Sequence, residues 1–248
     1  MAMTTIALTT GGNRGIGLEV ARQLGALGMT TLIAARDPLA GKHAVAELRA
    51  EGLDADLVVL DVDDPASTAA AAAAVAADHG RLDVLVNSAG ILPEATATDA
   101  ASPFDLELFR RTFETNLFGA VGVIQAFLPL VRMSPAGRIV NVSTTMGSLA
   151  DQSDPTSPYH GLVMPAYQTS KAALNGVTIA LAKVLADTPV KVNSVCPGWV
   201  QTDLGGPDNR AAAPLTADLA AVPIVAMATL DDDGPSGTFV DRDGEVPW

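Results

Sequence analysis

Ile6-Ala7-Leu8-Thr9-Thr10-Gly11-Gly12-Asn13-Arg14-Gly15-Ile16-Gly17 decides the fold. An apolar run breaks into glycines and re-emerges with helical spacing over residues 15–27. A strand that turns into a helix through glycines presents backbone N–H groups at the helix start. The peptide dipoles leave a partial positive charge there. Such a turn can hold a pyrophosphate. The spacing, Gly-x-x-x-Gly-x-Gly, is wider than the common dinucleotide fingerprint. A tight turn that only packs helix against strand is the alternative reading.

Further short apolar runs lie at residues 30–35, 57–60, 84–86, 138–142, 190–195 and 238–240. Between them stand helix-like stretches at 42–50, 66–77, 106–131 and 166–186. This alternation predicts an α/β fold: a doubly wound, mostly parallel sheet of seven strands with helices on both faces. Strands buried on both faces explain the unbroken apolar runs. No stretch reads as an interdomain linker, so residues 1–248 are expected to form one domain. Two segments interrupt the alternation. Residues 144–165, with Pro155 and Pro158, read as an inserted loop, and residues 205–223, rich in Gly, Pro and Ala, as a candidate substrate lid.

Composition narrows the function. The chain has 248 residues, 48% hydrophobic and 17% charged, as a folded globular protein requires. Its net charge of −13 argues against nucleic acid, whose phosphates need clustered Lys and Arg. The single cysteine, Cys196, forbids an intramolecular disulfide and fits a reducing compartment. It reads as buried packing rather than a nucleophile. The opening MAMTTIALTTGG lacks a basic region and is not expected to be a secretory signal. The longest apolar run, 119–131, is too short to span a bilayer. A cytoplasmic location and no membrane partner are therefore expected. His43, His79 and His160 have no ligand spacing, so no metal is expected. His160 sits beside Tyr159 in the loop, where a substrate contact and ordinary loop chemistry are both open.

The second apolar run ends Ala34-Ala35-Arg36-Asp37. A site selective for NAD places an acid near this point to bind the ribose 2′-hydroxyl. Ala35 stands there instead, followed by Arg36, and Arg14 in the glycine loop can approach the same region. Two guanidinium groups suit a 2′-phosphate, which favours NADPH/NADP+. The opposing reading makes Asp37 the ribose acid and Arg36 a solvated surface residue.

Tyr167-Gln168-Thr169-Ser170-Lys171 lies in a helical stretch, and residues four apart share a helix face. A phenol and an ammonium can therefore reach one site. The positive charge should lower the tyrosine pKa from about 10 and make Tyr167 a usable acid or base. Taken together, residues 10–17, Asp61-Val62, Asn87-Ser88-Ala89-Gly90, Asn116, Ser143, Tyr167 with Lys171, and Pro197-Gly198 resemble the short-chain dehydrogenase/reductase family, in its order and over nearly the whole chain. Gly11-Gly12-Asn13-Arg14, Ala35-Arg36-Asp37, the stretch Cys196-Pro197-Gly198-Trp199-Val200-Gln201-Thr202-Asp203 and the tail 237–248 are closer still to its monomeric carbonyl reductases.

The resemblance implies a Rossmann-type domain and a set of roles. Tyr167 would protonate the carbonyl oxygen, and Ser143 would hydrogen-bond it. Lys171 would bind the nicotinamide ribose and tune Tyr167. Asn116, in the fourth helix, would hold a water that relays protons. Gly11, Asn13, Arg14, Gly15, Ile16 and Gly17 would cradle the cofactor, with Arg36 at its 2′-phosphate. Asp61 and Val62 would contact adenine. Asn87, Ala89 and Gly90 would line the cofactor, as would Pro197, Gly198 and Val200. Thr202 would hold the carboxamide. Ser88 departs from the family's second asparagine. The gap from Ser143 to Tyr167 is longer than the family's usual one and shorter than in the monomeric carbonyl reductases, which leans oligomeric state only slightly toward a monomer.

The implied activity is NADPH-dependent reduction of a ketone or aldehyde. The alternatives are an NAD-dependent alcohol dehydrogenase and a dinucleotide-sensing module without catalysis. Met146, Leu149, Leu162, Val163 and Trp199, with Leu92, point to an apolar small-molecule carbonyl substrate. Trp199 is a candidate pocket wall, with simple packing the alternative.

Overall fold

An apolar run buried on both faces needs neighbours on both edges, and the chain supplies them. A computed structural model describes residues 4–96 and 104–248. Its strands are β1 (Ile6–Thr10), β2 (Thr30–Ala35), β3 (Ala55–Val59), β4 (Val84–Asn87), β5 (Arg138–Val142), β6 (Lys191–Val195) and β7 (Phe239–Val240). They form one sheet in the order β3-β2-β1-β4-β5-β6-β7, with every pair parallel. Every residue of β1, β2, β4 and β5 is buried. β3 begins two residues earlier than the apolar run, at Ala55, because it is an edge strand. It pairs only with β2, so the side chain of Asp56 can face water.

Helices α1 (Gly15–Ala26), α2 (Pro38–Ala50), α3 (Pro65–His79), α4 (Leu106–Phe113), α5 (Ala120–Val131), α6 (Leu149–Ser153), α7 (Pro165–Val184), α8 (Gly206–Ala212) and α9 (Ala217–Ala228) cover the sheet. On one face Val20 and Leu24 of α1 meet Ala221 and Ile224 of α9 over β1, β4 and β5. On the other, Ala71 and Val75 of α3 and Val123 and Phe127 of α5 close over Leu8, Leu32 and Leu85. α2 starts before the periodic stretch at 42–50 because Asp37 accepts hydrogen bonds from the N–H groups of Leu39 and Ala40, with Pro38 in the first turn.

Three stretches differ from the sequence reading. Residues 106–131 are one helical run, but Glu114–Gly119 widens into a π turn between α4 and α5. The run is long and apolar enough to cross a membrane by composition alone. It is a core helix here, with Val123, Phe127 and Val131 fully buried against the sheet. The 144–165 segment is not all loop: it carries a 3-10 turn, Thr145–Gly147, and then α6, capped by the Ser148 hydroxyl accepting from Asp151 N–H. The 205–223 segment is mostly helical. Its second half is the start of α9, where Ala220 and Ala221 are buried, so alanine content there signals packing on α1 rather than a mobile cover.

A chain of buried polar groups crosses the aliphatic interior and fixes α7 on the sheet. Asn87 Nδ2 donates to Asn141 Oδ1 (2.9 Å), and Asn141 Nδ2 donates to Thr178 Oγ1 (2.8 Å). Thr178 Oγ1 in turn meets Ser194 Oγ at 2.8 Å. Such a chain stabilises where its members are satisfied, and within it Asn87 Oδ1 has no hydrogen-bond partner among the described residues. Asn141→Ala leaves Asn87 Nδ2 without its acceptor and opens a void, so it should cost about 2–4 kcal/mol in urea unfolding.

Candidate active site

The strand order reverses between β1 and β4, and a crevice opens at the carboxyl ends of the strands there. It widens into a cavity of about 790 Å³. Every cofactor or catalytic candidate named above lines that cavity except Asn87, Asn116 and the alternative ribose acid Asp37.

At one end is the β1–α1 turn. Gly15 has φ +54°, in the left-handed region, and a Cβ on Gly17 would stand 2.5 Å from the Gly11 carbonyl oxygen. Only glycine lets α1 begin this close to β1, and its N–H groups then face the cavity. Thr10 Oγ1 ties this turn to the next loop by accepting from the N–H groups of Ser88 and Ala89. These are backbone bonds, which the serine at position 88 leaves intact. Arg14 lies beside Asp203, at 3.5 Å, and Arg210 bonds the same carboxylate at 2.8 Å. Arg36 lines the cavity, while Asp37 is engaged as the cap of α2. Asp61 Oδ1 accepts from Asp63 N–H, and Val62 packs against Gly119.

At the other end β5 and α7 bring the polar groups together. Ser143 directly follows β5 and is held by its N–H donating to Val195 O. Its Oγ is buried and has no hydrogen-bond partner among the described residues. A buried hydroxyl facing a cavity and lacking a partner fits a ligand oxygen. Tyr167 and Lys171 stand one turn apart on α7, both buried, with Lys171 Nζ 6.0 Å from the Tyr167 ring centre and donating to Val142 O at 2.8 Å.

Residues 5–213 match the short chain dehydrogenase family. The chain belongs to that family. It is 32% identical to carbonyl reductase [NADPH] 1 of Homo sapiens over 98% of each chain, and 31% identical to (+)-neomenthol dehydrogenase of Capsicum annuum over 96% of each. The former alignment runs 280 residues against a chain of 248, so that relative carries insertions absent here. Among solved structures, the NADPH-bound carbonyl reductase from chicken fatty liver superposes with a TM-score of 0.82 at 28% identity, covering all of both chains.

Within this short-chain dehydrogenase, Asn116 sits in the π turn, fully buried and outside the cavity wall. Its Oδ1 accepts from Ile91 N–H, and its Nδ2 donates to Ile91 O and Ser170 Oγ. The side chain therefore staples the β4 loop to α7. Asn87 likewise points into the sheet, toward Asn141. Tyr159, Met146, Leu162, Met164 and Trp199 form much of the apolar wall, and Trp199 Nε1 donates to Asn209 of α8. Leu149 and Val163 are exposed and do not line it, and His160 faces away, its ring meeting Gln152 O.

The Tyr167 phenol shifts the opposite way to the sequence expectation. Burial pushes its pKa up, because removing water penalises the phenolate, and Cys196 acts in the same direction. Burial also pulls the Lys171 ammonium down from 10.5 to about 8. Two residues with a structural part here were not legible. Glu94 bonds the first turn of α7 from 72 residues away, and Gln168 ties the 144–165 segment to α7 through Met164, Leu162 and Gln152. Neither has a sequence signal, since each acts through long-range or irregular contacts.

Lys171 makes a testable signature. Its folded pKa lies below its unfolded value, so the unfolded chain binds more protons between about 8 and 10.5. Stability should rise with pH from about 8 and then fall past 10, where the raised Tyr167 begins to favour unfolding. Lys171→Met should remove the rising limb in denaturation series across this range.

Proposed function

We propose that this short-chain dehydrogenase is an NADPH-dependent reductase of apolar ketones or aldehydes, acting in the cytoplasm. The observation that carries the reading is one cavity holding the bare Ser143 hydroxyl, the Tyr167 phenol and the Lys171 ammonium at one end, and a glycine cradle with Arg14 and Arg36 at the other. The relatives named for NADPH, alike over nearly their whole length, support it.

Bound NADPH supplies the hydride. The Gly11–Gly17 turn would hold its pyrophosphate, and Arg14 and Arg36 its 2′-phosphate. Ser143 Oγ would donate to the substrate oxygen, and Tyr167 would pass its proton to that oxygen as charge develops. Lys171, protonated below about pH 8, would bind the ribose and steady the growing charge on the phenol. A phenol raised by burial stays protonated at neutral pH, which suits a proton donor better than a base. The apolar wall of Met146, Leu162, Met164 and Trp199 favours a hydrophobic carbonyl compound. The NAD-dependent alternative loses its main support, since Asp37 is committed to capping α2. We further propose that residues 203–212, with Trp199 held to Asn209, form the cover over the substrate.

The decisive experiment follows cofactor oxidation with a panel of ketones, aldehydes and quinones, with NADPH and NADH in parallel. Turnover with NADPH and little with NADH is expected, and preference for NADH overturns the cofactor assignment. Tyr167→Phe should lower kcat roughly 10²- to 10⁴-fold while NADPH still binds. Full activity in that variant refutes the role of Tyr167. Reduction should also slow as pH rises through about 8, where Lys171 loses its charge.

A further inference from the structure

α7 begins without a side-chain cap of its own. Met164 precedes it and offers no side-chain hydrogen bond to the first turn, and Pro165 opens the helix. The first N–H groups of a helix need acceptors from elsewhere. Glu94, in the 3-10 turn Pro93–Thr96 after β4, supplies them. Its Oε1 accepts from Ala166 N–H at 3.0 Å and its Oε2 from Tyr167 N–H at 2.7 Å. One of the two amides thus belongs to Tyr167 itself. Glu94 does not line the cavity, so it acts through α7.

Two effects follow from this contact. Helical side chains lean toward the N-terminus, so the Tyr167 ring lies over the turn that Glu94 clamps. An uncapped helix start also favours an anion nearby, here the phenolate. A carboxylate bonded to the same N–H groups offsets that field and favours the neutral phenol. The other groups facing Tyr167 are Lys171 on its own helix, Cys196 after β6, Ser143 after β5 and Tyr159 across the cavity. Lys171 favours phenolate. Ser143 and Tyr159 are neutral, and Cys196 acts against phenolate only when ionised. Glu94 adds a carboxylate bonded to the Tyr167 amide itself.

We propose that Glu94 is a positioning residue for this reaction: its carboxylate caps the helix of Tyr167 and adds to burial in favouring the neutral phenol. The proposal rests on the reading of Tyr167 as the proton donor.

Two measurements on the full chain test it. The first is NMR of the Ala166 and Tyr167 amide protons. In Glu94→Ala both signals should shift away from their wild-type positions, and in Glu94→Asp they should stay close to them. The second is the pH profile of alcohol oxidation with NADP+, in which Tyr167 must lose its proton. Glu94→Gln keeps the side chain's shape and one acceptor oxygen but removes the charge. It should shift the acidic limb down by about half to one pH unit and lower kcat for reduction several-fold, with KM for NADPH unchanged. Glu94→Asp, which keeps the charge, should restore the limb. An acidic limb unmoved in Glu94→Gln, or amide signals unmoved in Glu94→Ala, overturns the proposal. A wild type inactive on every carbonyl and alcohol refutes the functional reading instead, and the amide signals still decide the cap.

Discussion

A buried amine governs the design of the site. Lys171 is 5% exposed, and its Nζ has one hydrogen-bond acceptor among the described residues, the carbonyl of Val142 at the end of β5. An ammonium with so little water needs its acceptor at a fixed place, or it gives up its proton. The height of α7 over the sheet is therefore under tight constraint. The contacts around α7 meet that constraint from several directions. The Asn87–Asn141–Thr178–Ser194 chain fixes its middle, Asn116 staples Ser170 to the β4 loop, and Glu94 holds its first turn. Each is a polar contact inside apolar surroundings, where a misplaced partner is costly. Such contacts select one register where aliphatic packing alone would tolerate several.

The opposite end of the cavity is built on weaker terms. Arg14, Asp203 and Arg210 form an ion cluster with all three side chains more than half exposed. Pairs of this kind contribute about 0–1 kcal/mol and yield readily to another anion. Asp203 opens the segment that leads into α8, so an anion drawing Arg14 away would loosen one tether of that segment. Rigid contacts thus surround the groups assigned to proton transfer, and exchangeable ones surround the groups assigned to cofactor phosphate.

Much of this was legible in the sequence because it depends on local rules. The strands followed from apolar runs that have no reason to be unbroken unless buried twice, and the first turn followed from glycines at a strand–helix junction. Tyr167 and Lys171 were readable together because helix periodicity puts residues four apart on one face, whereas Ser143 followed from the family resemblance. Other features depend on distance in space. Nothing near Glu94 marks it as the cap of a helix 72 residues away, and nothing near Asn116 says that its amide would be spent on Ile91. Asp37 read only as a possible ribose acid, and its role as a cap shows in its Oδ1 accepting from Leu39 and Ala40 N–H. The Tyr167 shift was misjudged for a related reason. Lys171 is visible four residues away, whereas the water that burial removes is not written in any one residue.

The division between rigid and exchangeable parts also bears on what the enzyme can discriminate. Ser143 and Tyr167 stand on a strand end and a helix, and in the proposed reaction they would address only an oxygen, which every carbonyl compound shares. The apolar wall comes from Tyr159, Leu162 and Met164 in the 144–165 segment and from Trp199 before α8, held by turns and side-chain bonds such as Gln168 to Leu162 and Trp199 to Asn209. Apolar contact of this kind separates ligands that differ by a methylene only weakly. Substrate choice must then rest on the shape of these two segments, and the reaction itself on α7. The sequence between residues 144 and 165 can change without moving Tyr167 because Glu94, Asn116 and Asn141 hold α7 from outside that segment.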